Sequence, residues 1–249
     1  MDAGESHAGA RREPDQGTKG GGRAGAARAL TDARRIAITE QDKPTVVLIH
    51  GLWLSGWCLT LLARRLRHAG FSAQIFSYLS VRSDLRENAE RLQHYLTSVR
   101  AGEVHLVGHS LGGILIRALH HYYPQQRPGR IVTLAAPHQG SIAAQTLARS
   151  AIGCRMLGRS VAQLLEGPPQ GWPVPVREIG IIHGNHAIGL GRLLTRLTLP
   201  NDGVLTEVET GLAGATDHVA VPASHSGLLL SREVARQISA FLRSGRFLQ

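Results

Sequence analysis

Along most of this 249-residue chain, short apolar runs rich in β-branched residues alternate with longer segments of helical period. The runs are TVVLIH (45–50), SAQIFSY (72–78), VHLVGH (104–109), RIVTLAAP (130–137), REIGIIHGN (177–185) and DHVAVPA (217–223). Each has the length and residue types of a strand. Between them, residues 56–70 put Leu59, Leu62, Leu66 and Ala69 on one helical face with arginines opposite, and Gly70 closes the segment. Residues 84–100 open on Asp84, an N-cap residue type, and repeat Leu85, Ala89, Leu92 and Leu96. A helix over 111–123 stops at Pro124, and another amphipathic helix covers 232–245. Strands separated by helices pair in parallel, because the crossover returns each strand to the same end of the sheet. The expectation is an α/β fold: a mostly parallel sheet of about six strands with helices on both faces.

Composition bounds what else the chain can be. Residues 1–35 are rich in Gly, Ala and Arg and lack aromatic residues. They offer too little apolar surface to offset chain entropy, which predicts a disordered tail ahead of one domain over 36–249. The irregular stretch 139–176, containing EGPPQGWPVPV, reads as a cap- or lid-like insertion over one edge. Two cysteines, Cys58 and Cys154, outside any C-x-x-C pattern do not make a disulfide framework. No run reaches the 18 apolar residues of a membrane span, and the N-terminus lacks a secretory layout, which together lead to a cytoplasmic expectation. The formal net charge of +10 admits a weak contact with an anionic membrane surface alongside a plain solubility role. The basic residues are not interleaved with aromatic ones, so no nucleic-acid partner is expected.

The sheet topology selects the chemistry, because sites in such folds gather at the carboxyl ends of the strands. Ser110 stands in GHSLGG, after a strand and before a helix, the context of a nucleophile elbow. A serine hydroxyl needs a base for its proton and donors for the oxyanion that its attack creates. The backbone N–H of Leu111 follows the serine. His50-Gly51 ends the first strand, so the turn there can present the Leu52 N–H. His225 follows the sixth strand and is the expected base, whereas His218 begins that strand, about 20 Å from the active edge. Asp217 fails by the same distance. Asp202, in the turn LPNDGVL, is the expected acid, with Glu207 in reserve. Trp53, His109 and His138 are expected to line the substrate site, and His183 and His186 are placed either as pocket-lining residues or as satisfied structural histidines. No His, Cys or carboxylate grouping has metal-ligand spacing, so neither a metal nor a cofactor is expected.

Taken in order, HGLW, GHSLGG, LAAPHQGS, NDGV and SHSGLL resemble the α/β-hydrolase superfamily and, within it, the bacterial lipase/esterase group. The resemblance runs from about Thr45 to Leu242 and departs at Ala136, where that group usually has Thr. It implies an oxyanion donor at Leu52, a nucleophile at Ser110, an acid at Asp202 and a base at His225. Ser226-Gly227 follow the histidine where some secreted members carry a calcium-binding aspartate, again implying no metal. The chain before Thr45 is short of the first two strands of the group, which implies a reduced core, with RIAIT (35–39) as an edge element. The expected activity is hydrolysis of small-molecule or lipid carboxylic esters by a serine esterase or lipase. Acyl transfer or thioester hydrolysis by the same triad, and a non-catalytic ligand-binding protein on this fold, stay open as alternatives.

Overall fold

The computed structural model describes residues 43–165, 171–189, 191 and 196–249, apart from the side chains at 162–164. The expected tail and the RIAIT element lie outside the described residues. Six strands form one sheet: β1 (Thr45–Ile49), β2 (Ser72–Phe76), β3 (Val104–His109), β4 (Ile131–Leu134), β5 (Ile179–Gly184) and β6 (Asp217–Val221). Their spatial order is β2-β1-β3-β4-β5-β6, and every pairing is parallel. The main helices are α1 (Thr60–His68), α2 (Leu85–Ser98), α3 (Leu111–Tyr122), α4 (Ile142–Leu147), α5 (Ala151–Leu165), α6 (Glu207–Thr210) and α7 (Arg232–Ser244).

The pleat of β1 explains why its sequence is apolar from Val46 to Ile49. Val46 and Leu48 face a cluster containing Leu62, Leu66, Ile238 and Phe241 of α1 and α7. Val47 and Ile49 face the opposite cluster, with Leu92 of α2 and Leu115 of α3. A strand covered on both faces has no solvent side to make polar, and each fully buried side chain of this size contributes about 1.5–3 kcal/mol. At its edge of the sheet, β6 alternates between partly buried and exposed positions until Val221 is buried.

Local signals set the helix ends. Asp84 caps α2 reciprocally: its carboxylate accepts from the Glu87 N–H at 2.8 Å, and the Glu87 carboxylate accepts from the Asp84 N–H at 3.3 Å. The 139–176 segment joins β4 to β5 and carries α4 and α5, with a non-helical Gly158 (φ 74°) inside α5. A Cβ at Gly158 would meet the Val81 carbonyl oxygen at 2.2 Å, so only glycine lets the two backbones approach this closely. Next to it, the Arg159 N–H donates to Val81 O, and Ser160 Oγ donates to Ser83 O at 2.6 Å. These bonds fasten α5 to the loop between β2 and α2. No helix among the described residues is long and apolar enough to cross a membrane.

Candidate active site

Ser110 lies between β3 and α3 with φ 52° and ψ −121°, a backbone conformation that side-chain-bearing residues rarely adopt. The surrounding glycines make the bend possible. A Cβ on Gly108 would come within 2.6 Å of Gly112 backbone atoms, and one on Gly112 within 2.5 Å of Ile49 O. The start of α3 is thereby seated directly against the ends of β1 and β3. The Ser110 hydroxyl makes no hydrogen bond among the described residues, and its side chain faces a cavity of about 310 Å³.

His225 and Asp202 arrive from loops after β6 and β5. Gly184, at the end of β5, makes room for both, since a Cβ there would lie 2.3 Å from Ala223 O and 2.9 Å from Asp202 Cβ. Asp202 is 1% exposed, so each of its carboxylate oxygens must find a partner within the protein. Oδ1 accepts the N–H groups of Val204 and Leu205 at 2.9 and 2.8 Å, and Oδ2 accepts from His225 Nδ1 at 2.7 Å. Burial raises the carboxyl pKa, but the His225 bond and the two N–H donors outweigh it and hold the group below the usual range. Asp202 is therefore ionised at neutral pH. It fixes the imidazole with Nδ1 protonated, which leaves Nε2 as an acceptor.

The turn after β1, which carries Leu52, is ordered by His50, a fully buried residue at the end of that strand. Its Nε2 accepts the Tyr78 N–H at 3.2 Å, so the proton of the neutral ring sits on Nδ1, which donates to Gly51 O at 2.8 Å. Tyr78 stacks on the ring with centroids 4.5 Å apart, and its hydroxyl donates to His50 O. Burial lowers the His50 pKa, with the Gly51 bond opposing, which keeps the ring neutral. Gly51 C=O and Leu52 N–H belong to one planar peptide and point in opposite directions. Holding the carbonyl thus orients the Leu52 N–H. No acceptor among the described residues takes the Leu52 N–H or that of Leu111 at the start of α3, and both residues line the cavity.

Ser110, His225, Leu52 and Leu111 all line this cavity, as do Trp53 and His109, and Asp202 stands behind His225. Trp53 also donates from Nε1 to Met156 O at 2.7 Å, joining the loop after β1 to α5. His109 acts on its neighbour more than on the open space. Its buried ring donates from Nε2 to His225 O at 3.1 Å and packs 4.8 Å from the His225 ring. Burial, and then the proximity of His225, push its pKa down to about 3.

The expected substrate contact of His138 requires correction. The residue is 3% exposed, its Nε2 lies 3.1 Å from Thr133 Oγ1, and it is not part of the cavity wall. The chain after β4 turns at Ala135 (φ 44°), and His138 is packed into the protein interior. His183 lines a separate pocket, where its Nε2 is 3.7 Å from Glu207 Oε2, so neither residue belongs to the Ser110 cavity. His186 is exposed and also stays outside the cavity wall. The sequence reading missed most of the apolar wall opposite Ser110, formed by Leu147, Leu157 and Val161 of the 139–176 segment. Their spacing alone does not reveal the bend at Gly158 that precedes Val161.

A sheet whose strand ends carry a strained serine, a histidine and its carboxylate partner defines an α/β protein of the hydrolase type. The chain belongs to the alpha/beta hydrolase family, whose pattern it matches over residues 46–242. It is similar in structure to Bacillus licheniformis lipase BlEst2 in its mature form, at 21% identity and a TM-score of 0.63, covering 82% of this chain and 92% of that one. It is also similar to carboxylesterase CesB of Bacillus subtilis, at 15% identity and TM-score 0.53, covering 82% and 85%. A pyrethroid hydrolase from Sphingobium faniae JZ-2 matches at 17% identity and TM-score 0.53, covering 81% and 98%. Among curated proteins no match is found.

Proposed function

We propose that the protein hydrolyses carboxylic esters through Ser110, His225 and Asp202. The observation that carries this reading is the 2.7 Å bond from His225 to the buried Asp202, made beside the cavity that Ser110 lines. Ser110 Oγ attacks the acyl carbon while His225 Nε2 takes its proton. The carbonyl oxygen becomes an oxyanion held by the N–H groups of Leu52 and Leu111. His225 then returns the proton to the departing alkoxide, leaving an acyl ester on Ser110. Water attacks this ester with His225 again as base, releasing the acid and restoring the hydroxyl. Asp202 stays ionised throughout and stabilises the imidazolium formed in each step. Structural neighbours described as a lipase, a carboxylesterase and a pyrethroid hydrolase agree with this reading.

The apolar wall of Leu147, Leu157 and Val161 suits the acyl or alcohol part of an ester without charged groups. A series of nitrophenyl esters of rising chain length tests the reading. Turnover of short- and medium-chain members that survives EDTA is expected. Absence of turnover across the series, or turnover that requires an added metal, overturns it.

A further inference from the structure

The face opposite α2 and α3 has a feature that ester chemistry does not use. A groove of about 980 Å³ runs between α1 and α7 and is walled by Arg64, Arg65, Arg232, Arg236 and Arg243. No Asp or Glu lies in its wall. Glu233 pairs with Arg236 at 3.0 Å, but the other four arginines have no carboxylate within ion-pair distance among the described residues. Arg65 instead donates to Leu230 O at 2.6 Å, and Arg243 donates to Ala69 O and lies over the Phe71 ring. Four like charges without counterions on one face repel one another, a cost that an anionic partner would relieve.

Large apolar side chains stand next to this charge. Trp57, in the turn before α1, is 85% exposed, and Leu230, in the turn before α7, is 61% exposed. Leu61, one helical turn after Trp57, is also exposed and joins the groove wall. The Arg65 bond to Leu230 O ties α1 to the turn before α7. Single exposed leucines need no explanation, but an exposed tryptophan and two leucines bordering a cationic groove form the pattern of a bilayer interface. There, indole and aliphatic groups enter the headgroup boundary while guanidinium groups meet lipid phosphates. In a single-strand nucleic-acid groove, by contrast, aromatic rings alternate with the cations so that bases can stack. Here the walls between the arginines carry Ala69, Ala235 and Ala240, with His68 as the one ring and no Phe, Tyr or Trp to stack bases in series.

We infer that the α1/α7 face, with Trp57, Leu61 and Leu230 at its end, docks the protein on an anionic lipid bilayer. The chain links this face to the site on both sides. Trp53, four positions before Trp57, lines the Ser110 cavity, and the Leu230 turn follows His225 directly.

Co-sedimentation of the full chain with vesicles tests this inference without reference to catalysis. Vesicles of equal parts phosphatidylglycerol and phosphatidylcholine should bind the protein at low salt and release it as salt rises, whereas pure phosphatidylcholine should not retain it. The double reversal Arg64→Glu/Arg232→Glu should weaken partition at least tenfold, on the basis of roughly a fivefold loss per neutralised arginine. Trp57→Ala should weaken it severalfold in a salt-independent way. The control Arg82→Glu/Arg91→Glu changes net charge equally on exposed residues outside the groove and should retain most of the binding. Unchanged melting temperatures would show that the variants are folded. The inference fails if wild type does not bind, if the control reversal weakens binding as much as the groove reversal, or if a DNA duplex displaces the vesicles at equal phosphate concentration.

Discussion

His225 and Asp202 are joined twice: the His225 backbone N–H donates to Asp202 O at 2.9 Å, and its Nδ1 donates to Asp202 Oδ2 at 2.7 Å. The backbone bond ties the loop after β6 to the turn after β5, so the side-chain bond forms between two groups that are already aligned. Asp202→Asn keeps the backbone bond and the Oδ1 acceptor but offers His225 an amide in place of a carboxylate. The imidazole then loses its fixed tautomer. Ester kcat is expected to fall by about 10⁴ with circular dichroism unchanged. A loss within tenfold would show that Asp202 does not orient the base.

Substitutions at His50 separate orientation of the Gly51–Leu52 peptide, the proposed oxyanion donor, from simple core filling. Asn at this position can place an amide N–H near the Nδ1 site and donate to Gly51 O, whereas Gln moves its amide toward the Nε2 site. His50→Gln is expected to lower kcat by about 10² while KM stays within about threefold. His50→Asn should recover most of that loss. Equal kcat for the two variants, or losses confined to KM, would contradict a positioning role.

Acid should destabilise the protein through its buried histidines. Burial is the leading cause that pushes His109 and His138 down to about 3 and His120 down to about 4. In the unfolded chain each takes a proton near pH 6.5, whereas in the native state it stays neutral. Their contribution to stability is complete above pH 6.5 and is lost progressively as pH falls toward the folded values. Near pH 5, unfolding should therefore take up about three protons from these groups. Denaturant titrations at stepped pH give total proton uptake from the slope of stability against pH, and because His50, His105, His183 and Asp202 are also shifted down, a slope of at least three protons near pH 5 is expected. A flat profile between pH 6.5 and 4.5 would contradict it.

How much of this could be read in the sequence follows from how local each determinant is. The strands were legible because β1, β3, β4 and β5 are buried along their whole length and are therefore mostly apolar on both faces. Ser110 was legible because the glycines around it are required by backbone approaches within a few residues and to the end of β1. Asp202 was legible because its turn needs Gly203 at φ 91° and an Asx-type acceptor. His138 was misplaced because its sequence context puts it at a strand end but does not reveal the turn at Ala135 or the Thr133 hydroxyl waiting for its ring. The apolar wall of the cavity depends on α5 bending at Gly158 against Val81, a contact between segments distant in sequence. The bond from Trp53 to Met156 O is hidden for the same reason, since its acceptor is a backbone carbonyl that any residue would supply.

The proposed nucleophile, Ser110, can be read out with an active-site-directed fluorophosphonate. Incubated with the full chain, the probe should add to one site, mapped by peptide mass spectrometry to Ser110. Ser110→Ala should abolish labelling and lower ester kcat by about 10⁶ without changing the fold. Stoichiometric labelling of another residue, or ester turnover retained by Ser110→Ala, would show that Ser110 is not the nucleophile.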